Sequence, residues 1–140
     1  MGQQIEVNIA DLVGAGYGAF WWYKGRYRVC KGSRASKKSK TTALWYIHNI
    51  IKHPAANLLV VRKVERTLRN SCFADLCWAM KRLKVEPWFK VTTSPMEIIY
   101  KPTGQKILFR GLDDPLKITS IAVEHGCLCW VWINLFRFTL

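Results

Sequence analysis

Apolar residues recur at helical spacing between Ser39 and Lys52, where Ala43, Leu44, Ile47, Ile50 and Ile51 gather on one face. His53-Pro54 ends that helix, because the residue before a proline is pushed out of the helical region. The next run, NLLVVRK, is continuously apolar with charge only at its end. That is the profile of a strand covered on both faces in a parallel sheet. A second helical stripe runs from about Val64 to Lys84. Leu68, Cys72, Leu76, Ala79, Met80 and Leu83 fall on one side, with Arg66, Arg69, Lys81 and Lys84 largely outside it. Pro87 breaks this pattern. VTTSPMEIIYKPTGQKILFRG then reads as short strands with a hairpin at Lys101-Pro102-Thr103-Gly104. Asp113-Asp114-Pro115 is a helix-start signal, a capping carboxylate followed by proline at the first helical position, and a short helix through Ile121 follows. The near-continuous apolar run CLCWVWI, Cys127 to Ile133, predicts a buried central strand.

Upstream, the stretch to about Phe20 is glycine-rich (Val13 to Gly18) and reads as a loop. In FWWYKGRYRVC the aromatic and β-branched pattern predicts a strand over Tyr27 to Cys30. The order is thus strand, loop, helix, strand, helix, hairpin region, short helix, strand. This alternation points to the α/β class, with a sheet covered by helices. No internal repeat or low-complexity linker interrupts it. Residues 1–20 form a loop-rich N-terminal segment and residues 21–140 one α/β unit.

Charge narrows the choice of partner. The chain of 140 residues carries 22 Lys and Arg against 9 Asp and Glu, a formal charge of +13. Such an excess suits a polyanion with regularly spaced charge, nucleic acid first. The cations do not line one amphipathic helix, so an anionic membrane surface fits less well. MGQQIEVNIADL lacks the features of a signal peptide, and Glu6 breaks the myristoylation pattern that begins at Gly2. CLCWVWINLFRFTL is shorter than the ~20 residues needed to cross a bilayer. The five cysteines are odd in number and form no C-x-x-C pair, which favours a reducing cytoplasm over a disulfide framework. His125, Cys127 and Cys129 would share one face of a strand, but no second ligand pair accompanies them, and buried small side chains are the simpler reading.

The segment CKGSRASKKSKT, residues 30–41, carries the chemistry. Against the phosphate-loop pattern G-x-x-x-x-G-K-[ST], it supplies Gly32, Lys38 and Ser39 at the required spacing, with Lys37 where a glycine is usual. A strand leads in and a helix leaves. Successive backbone N–H groups and the positive helix end would then face phosphate oxygens. Lys38 would reach the β- and γ-phosphates, Ser39 would offer its hydroxyl to Mg²⁺, and Arg34 adds a cation within the loop. The competing reading is a basic connector that touches nucleic-acid phosphates without selecting a nucleotide.

YRVCKGSRASKKSKTTALWYI, LLVVRKVERTLRNSCFADL, ILFRGLDDPLKITSI and CLCWVWI together resemble the large subunit of tailed-phage terminases, from about Phe20 to Ile133. The resemblance implies a P-loop NTPase-type, mostly parallel sheet flanked by helices, incomplete at its C-terminal end, with the family's nuclease domain absent. It implies a parent that couples ATP hydrolysis to the packaging of viral DNA and cuts that DNA in the host cytoplasm. Its cofactors would be ATP and Mg²⁺. Its partners would be double-stranded DNA, a terminase small subunit and a portal protein, with no membrane. Carried over by position, Gly32, Ser33, Arg34, Ala35, Ser36, Lys37, Lys38, Ser39 and Lys40 form the nucleotide-binding loop, with Ser39 the metal ligand. FRGLDDP reads as a strand and helix cap. Arg62, Arg66 and Arg69 follow a strand, where solvated helix charges are the simpler reading of them.

The match breaks after the last apolar strand. The family places two acidic residues there, one to hold Mg²⁺ through water and a glutamate to activate the attacking water. Here those places hold Asn134 and Leu135, so no catalytic residue is assigned. Phosphoryl transfer depends on positioning and charge neutralisation, and this chain is expected to bind nucleotide weakly without turning it over. Two other readings remain open: a non-enzymatic basic nucleic-acid-binding module, and an inert truncated prophage remnant. An apolar strand left at a sheet edge near Trp130, Val131 and Trp132 would also be prone to aggregation.

Overall fold

A computed structural model describes residues 8–9, 16–30, 37–113, 116, 121 and 126–134. Helix α1 covers Gly18–Trp22, α2 Lys38–Lys52 and α3 Ala74–Arg82. Strands β1 (Ala56–Arg62), β2 (Phe89–Thr93), β3 (Met96–Tyr100), β4 (Gln105–Gly111) and β5 (Cys127–Asn134) form one sheet in the order β2-β3-β4-β1-β5. β1 runs parallel to both β4 and β5, whereas β2, β3 and β4 pair antiparallel. The architecture is therefore α/β with a mixed sheet, not a mostly parallel one. Tight turns force this, because strands joined by so few residues can only pair antiparallel. Only two residues, Ser94 and Pro95, separate β2 from β3, and the expected turn over residues 101–104 joins β3 to β4.

The apolar pattern in α2 performs as its spacing predicts. Ala43, Leu44, Ile47 and Ile50 are buried against Leu58 and Val60 of β1 in the main core. Burying a side chain of this size contributes about 1.5–3 kcal/mol. β1 is apolar throughout because it is covered on both sides: Leu59 and Val61 join Leu108 in a smaller cluster on the opposite face, against Ile121. Two of the buried polar side chains, Asn57 and Gln105, fix the ends of strands. Asn57 Oδ1 accepts from the Lys106 backbone N–H at 2.8 Å, and Gln105 Nε2 donates to His53 O and Ala56 O, both at 2.6 Å. These bonds hold the turn between α2 and β1 against the start of β4. Each would cost about 1–3 kcal/mol if its buried partner were left unsatisfied.

An aromatic wall joins α2 to β5. Tyr46 lies 5.6 Å from Trp132, Trp45 lies 5.7 Å from Trp130, and His53 lies 5.7 Å from Trp130 between ring centroids. Such pairs contribute ~0.5–1.5 kcal/mol each beyond their buried area. Burial pushes the Tyr46 phenol up to about 12, with the positive charge of Arg28 acting the other way. The hydroxyl therefore stays protonated and donates to Val131 O at 3.5 Å.

Four segments depart from the sequence expectation. Gly18–Trp22 forms helix α1 where the sequence predicts a loop through about Phe20. Tyr27–Cys30 forms no strand and pairs with no strand of the sheet. The expected helix from Val64 to Lys84 divides into a 3-10 turn at Glu65–Thr67, a π turn at Arg69–Phe73 and then α3. Hydroxyls bond to carbonyls where the helix divides: Thr67 Oγ1 donates to Val64 O and Ser71 Oγ to Thr67 O, each at 2.6 Å. Phe73 N donates to Leu68 O, five residues back, at 3.1 Å. The predicted stripe is still buried from Leu68 to Leu83. Its early four-residue steps overshoot an α-turn by about 40° each, and the wider π turn absorbs that drift. Finally, β5 is an edge strand among the described residues, not a central one. Trp132 is buried towards α2, while Leu128, Val131 and Ile133 are exposed on the other face. A bulge between the pairs Asn57–Leu128 and Leu58–Trp130 sets this alternation. The side chains of Cys127 and Cys129 lie outside the described ones, so the face they share is not placed. His125 lies outside the described residues, as do Asp114, Pro115 and the rest of the expected short helix except Leu116, which is helical, and Ile121, which is not.

FRGLDD ends β4 and bridges to the end of β1. Leu112 N donates to Arg62 O at 2.9 Å, and Glu65 N points at Asp113 Oδ1 at 3.4 Å. Gly111 lies beneath this crossing, where an added Cβ would stand 2.6 Å from both the Glu65 backbone nitrogen and its Cβ. Gly111→Ala should therefore destabilise the fold by about 1–3 kcal/mol, the usual cost of overpacking. A lowered urea midpoint with an unchanged slope would record it.

Candidate functional site

α2 leaves the basic segment and returns to β1 through a short turn at His53–Ala55, so helix and strand lie antiparallel. The aromatic contacts confirm the direction. His53, at the helix end, meets Trp130, and Tyr46, two turns earlier, meets Trp132. The start of α2 is therefore carried towards and beyond Asn134, at the carboxyl end of β5. The parallel strands finish there together, with Gly111 of β4, Arg62 of β1 and Asn134 of β5 in register. The carboxyl ends of parallel strands are where ligands bind in α/β sheets.

The residues proposed for phosphate binding divide into two groups. Gly32, Ser33, Arg34, Ala35 and Ser36 lie outside the described residues. Lys37, Lys38, Ser39 and Lys40 are placed at the head of α2. Lys37 precedes the first helical residue with φ 62° and ψ 19°, in the left-handed region, and its carbonyl accepts from Thr41 N at 2.9 Å. This is the position at which the phosphate-loop pattern has its second glycine. The backbone keeps a conformation that glycine adopts without strain, although the side chain is lysine.

Lys38 and Ser39 occupy the first turn and are half-buried. The Lys38 carbonyl accepts from Thr42 Oγ1 at 2.8 Å. The Lys38 ammonium acts on the Cys30 thiol, whose pKa is raised by burial and drawn back down by that charge. The two ends of the loop, Cys30 and Lys38, are thus within electrostatic reach of each other. Lys40 turns away. Its Nζ pairs with Asp75 Oδ1 of α3 at 2.8 Å and sits 4.7 Å from the centre of the Trp78 ring. Its place in the structure is the α2–α3 packing, and nothing in the sequence spacing announced Asp75 as its partner.

Asn134 ends β5 in register with Arg62, while Leu135 lies outside the described residues. The arginines after β1 are partly committed: Arg62 Nη1 donates to Thr67 O at 3.0 Å and Arg69 Nη2 to Thr93 O at 3.3 Å. Arg66 is exposed. Among the described residues, no group of three His, Cys, Asp or Glu could hold a metal ion, and no helix is long and apolar enough to cross a membrane.

Sequence reasoning did not single out Arg28. Its guanidinium carbon lies 4.1 Å from the centre of the Trp45 ring, its Nε donates to Phe20 O at 3.2 Å, and its Nη2 donates to Tyr23 O. It fastens the segment before the loop to α2. The interleaving of aromatic and basic residues in FWWYKGRYR was the available signal.

The fold defines an α/β protein with a mixed sheet whose three parallel strands, β4, β1 and β5, end in register. Within that class the assignment is specific. Residues 24–135 match the family described as phage terminase large subunit, and the chain belongs to that family. It is 39% identical over 106 residues to the terminase large subunit of Bacillus phage SPP1, covering 76% of this chain and 25% of that protein. It is 30% identical over 105 residues to the PBSX phage terminase large subunit of Bacillus subtilis (strain 168), covering 75% of this chain and 23% of that protein. The chain therefore spans about a quarter of the length of these curated relatives.

The left-handed Lys37 yields a direct test. Lys37→Gly removes a strained backbone position worth about 1–2 kcal/mol and a cation at the positive end of a helix, worth about 0.3–1 kcal/mol. Greater unfolded-chain freedom offsets about 0.5–1 kcal/mol of this gain. The variant should be more stable by about 1 kcal/mol, seen as a melting temperature raised by ~2–4 °C in a chain of this size.

Proposed function

We propose that this chain is the nucleotide-binding part of a terminase large subunit, with a P-loop NTPase-type site built from residues 32–39 and poorly equipped for hydrolysis. The observation that carries the reading is the left-handed backbone at Lys37, in the glycine position of the motif, at the head of a helix that reaches the carboxyl ends of three parallel strands. Electrostatics supports it. The start of α2 has no acidic residue in its first turn, yet Lys37, Lys38 and Lys40 crowd the positive end of the helix dipole. Asp75 pairs with Lys40. A bound phosphate group would relieve that crowding and receive backbone N–H groups as well.

In this reading the Lys38 ammonium neutralises the outer phosphates, and Arg34 adds a second cation. Mg²⁺ bound with ATP would take the Ser39 hydroxyl as a ligand. Ser39, in the first helical turn, fits that role. The end of β5 does not complement it, since Asn134 is neutral and supplies no charge to the metal's water shell. Leu135 can neither accept a proton nor orient a water. A missing general base alone costs ~10²–10⁴ in rate. The whole parent would work in the host cytoplasm on double-stranded DNA with a small subunit and a portal protein, and this chain would contribute only its nucleotide contacts.

Calorimetric titration of the 140-residue chain with a non-hydrolysable ATP analogue and Mg²⁺ should give saturable binding. Lys38→Ala should weaken it about 10- to 100-fold, as loss of a charge-assisted hydrogen bond implies. Hydrolysis of ATP should stay at background in both proteins. Binding that ignores Lys38→Ala would exclude a phosphate loop at this position, and turnover abolished by Lys38→Ala would refute the loss of catalysis.

A further inference from the structure

The segment ahead of the loop carries surface that the proposed nucleotide site does not use. Trp22 is 75% exposed and Tyr27 73%, with Tyr23 at 49%. Tryptophan is seldom left so open, since covering its large ring is strongly favourable. Lys24 and Arg26 stand exposed between these rings. Two cations thus lie between aromatic side chains within six residues, on a chain whose formal charge is +13.

The backbone beneath this surface is held in place. Phe20 O and Tyr23 O both accept from Arg28, whose guanidinium lies against the Trp45 ring of α2. Trp45 Nε1 in turn donates to Trp21 O at 3.3 Å, and the Phe20 and Trp45 rings meet edge to face at 6.4 Å. The Tyr23 ring folds over Gly25, which has no room for a Cβ beneath it. A pinned backbone that presents open rings with cations between them has the chemistry of a stacking platform. Every nucleobase offers a π-face to such rings, while phosphates meet the interleaved Lys and Arg. Paired bases in a duplex keep their faces stacked and unavailable.

We propose that Trp22 and Tyr27, with Tyr23 beside them, stack on unpaired bases of single-stranded nucleic acid, and that Lys24 and Arg26 contact its phosphates. The surface is distinct from the phosphate-loop residues and does not require them to bind nucleotide.

Fluorescence anisotropy of a labelled 20-nucleotide oligothymidylate tests this with the intact chain, against an unlabelled duplex of equal length as competitor. The single strand should bind more tightly than the duplex. Trp22→Ala should weaken it about 5- to 150-fold, the range for loss of one stacked base, while Trp22→Phe retains most of the affinity. Because the Trp22 side chain is largely open, both variants should fold, and unchanged circular dichroism spectra would confirm it. Lys24→Ala and Arg26→Ala should each flatten the salt dependence by about 0.7 in logarithmic slope, and Trp22→Ala should leave the slope unchanged. Lys38→Ala should leave strand binding intact, which separates this surface from the nucleotide site. Equal affinity for duplex and strand, or indifference to Trp22→Ala, would overturn the proposal in favour of plain phosphate attraction. Displacement of the oligonucleotide by an equal concentration of ATP would overturn it in favour of a mononucleotide site.

Discussion

The antiparallel seating of α2 on β1 and β5 is the constraint from which the rest follows. Fifteen helical residues span about 22 Å, and the seven residues of β1 span about 23 Å. A helix and strand of matched length joined by a tight turn must bring the helix start to the strand end. Leu44, Ile47 and Ile50 fix the helix over Leu58 and Val60, and the Trp45–Tyr46–Trp130–Trp132 wall extends the contact sideways to β5. Without that wall, β5 would be held by backbone pairing alone, and Asn134 would have no fixed relation to the head of α2.

That one packing relation also explains how charge is tolerated. Three lysines within four residues at a helix N-terminus oppose the dipole and one another. Lys40 is removed from the conflict by Asp75 and the Trp78 ring on α3. The Lys38 charge is felt at Cys30, the last described residue before the loop, where it lowers a thiol pKa that burial raises. Lys37 and Lys38 keep positive charge at the head of α2, while α3 takes up Lys40.

Much of this was legible along the chain, and the failures share a cause. The core faces of α2 and of the stretch ending in α3 came from spacing alone, because burial of Leu44, Ile47, Leu76 and Met80 depends on local periodicity. β1 was legible because a run apolar on both faces has few other homes. Tyr27–Cys30 misled because its pattern fits a strand, yet a strand also needs a partner, and Arg28 is spent on Trp45 and on carbonyls. CLCWVWI read as central because exposed Leu128, Val131 and Ile133 look the same in sequence as buried ones. At the site, Lys37 could be seen to replace a glycine, but not that the backbone keeps the glycine conformation. The pairing of Lys40 with Asp75 crosses 35 positions and left no local trace.

The same distinction bears on what this chain keeps of its family's chemistry. Backbone geometry at the loop is imposed by packing: α2 is held by its buried face, and Lys37 is bent whatever its side chain is. Chemistry at the end of β5 depends on side-chain identity instead, and under the proposed function Asn134 and Leu135 stand where the resemblance implies two acidic residues. On that reading the fold keeps a cradle without the groups that would use it. Straightening Lys37, by contrast, would break the start of a helix whose other face builds the core. Affinity for an anion should on these grounds outlast catalysis, because it rests on the part of the site that folding itself enforces.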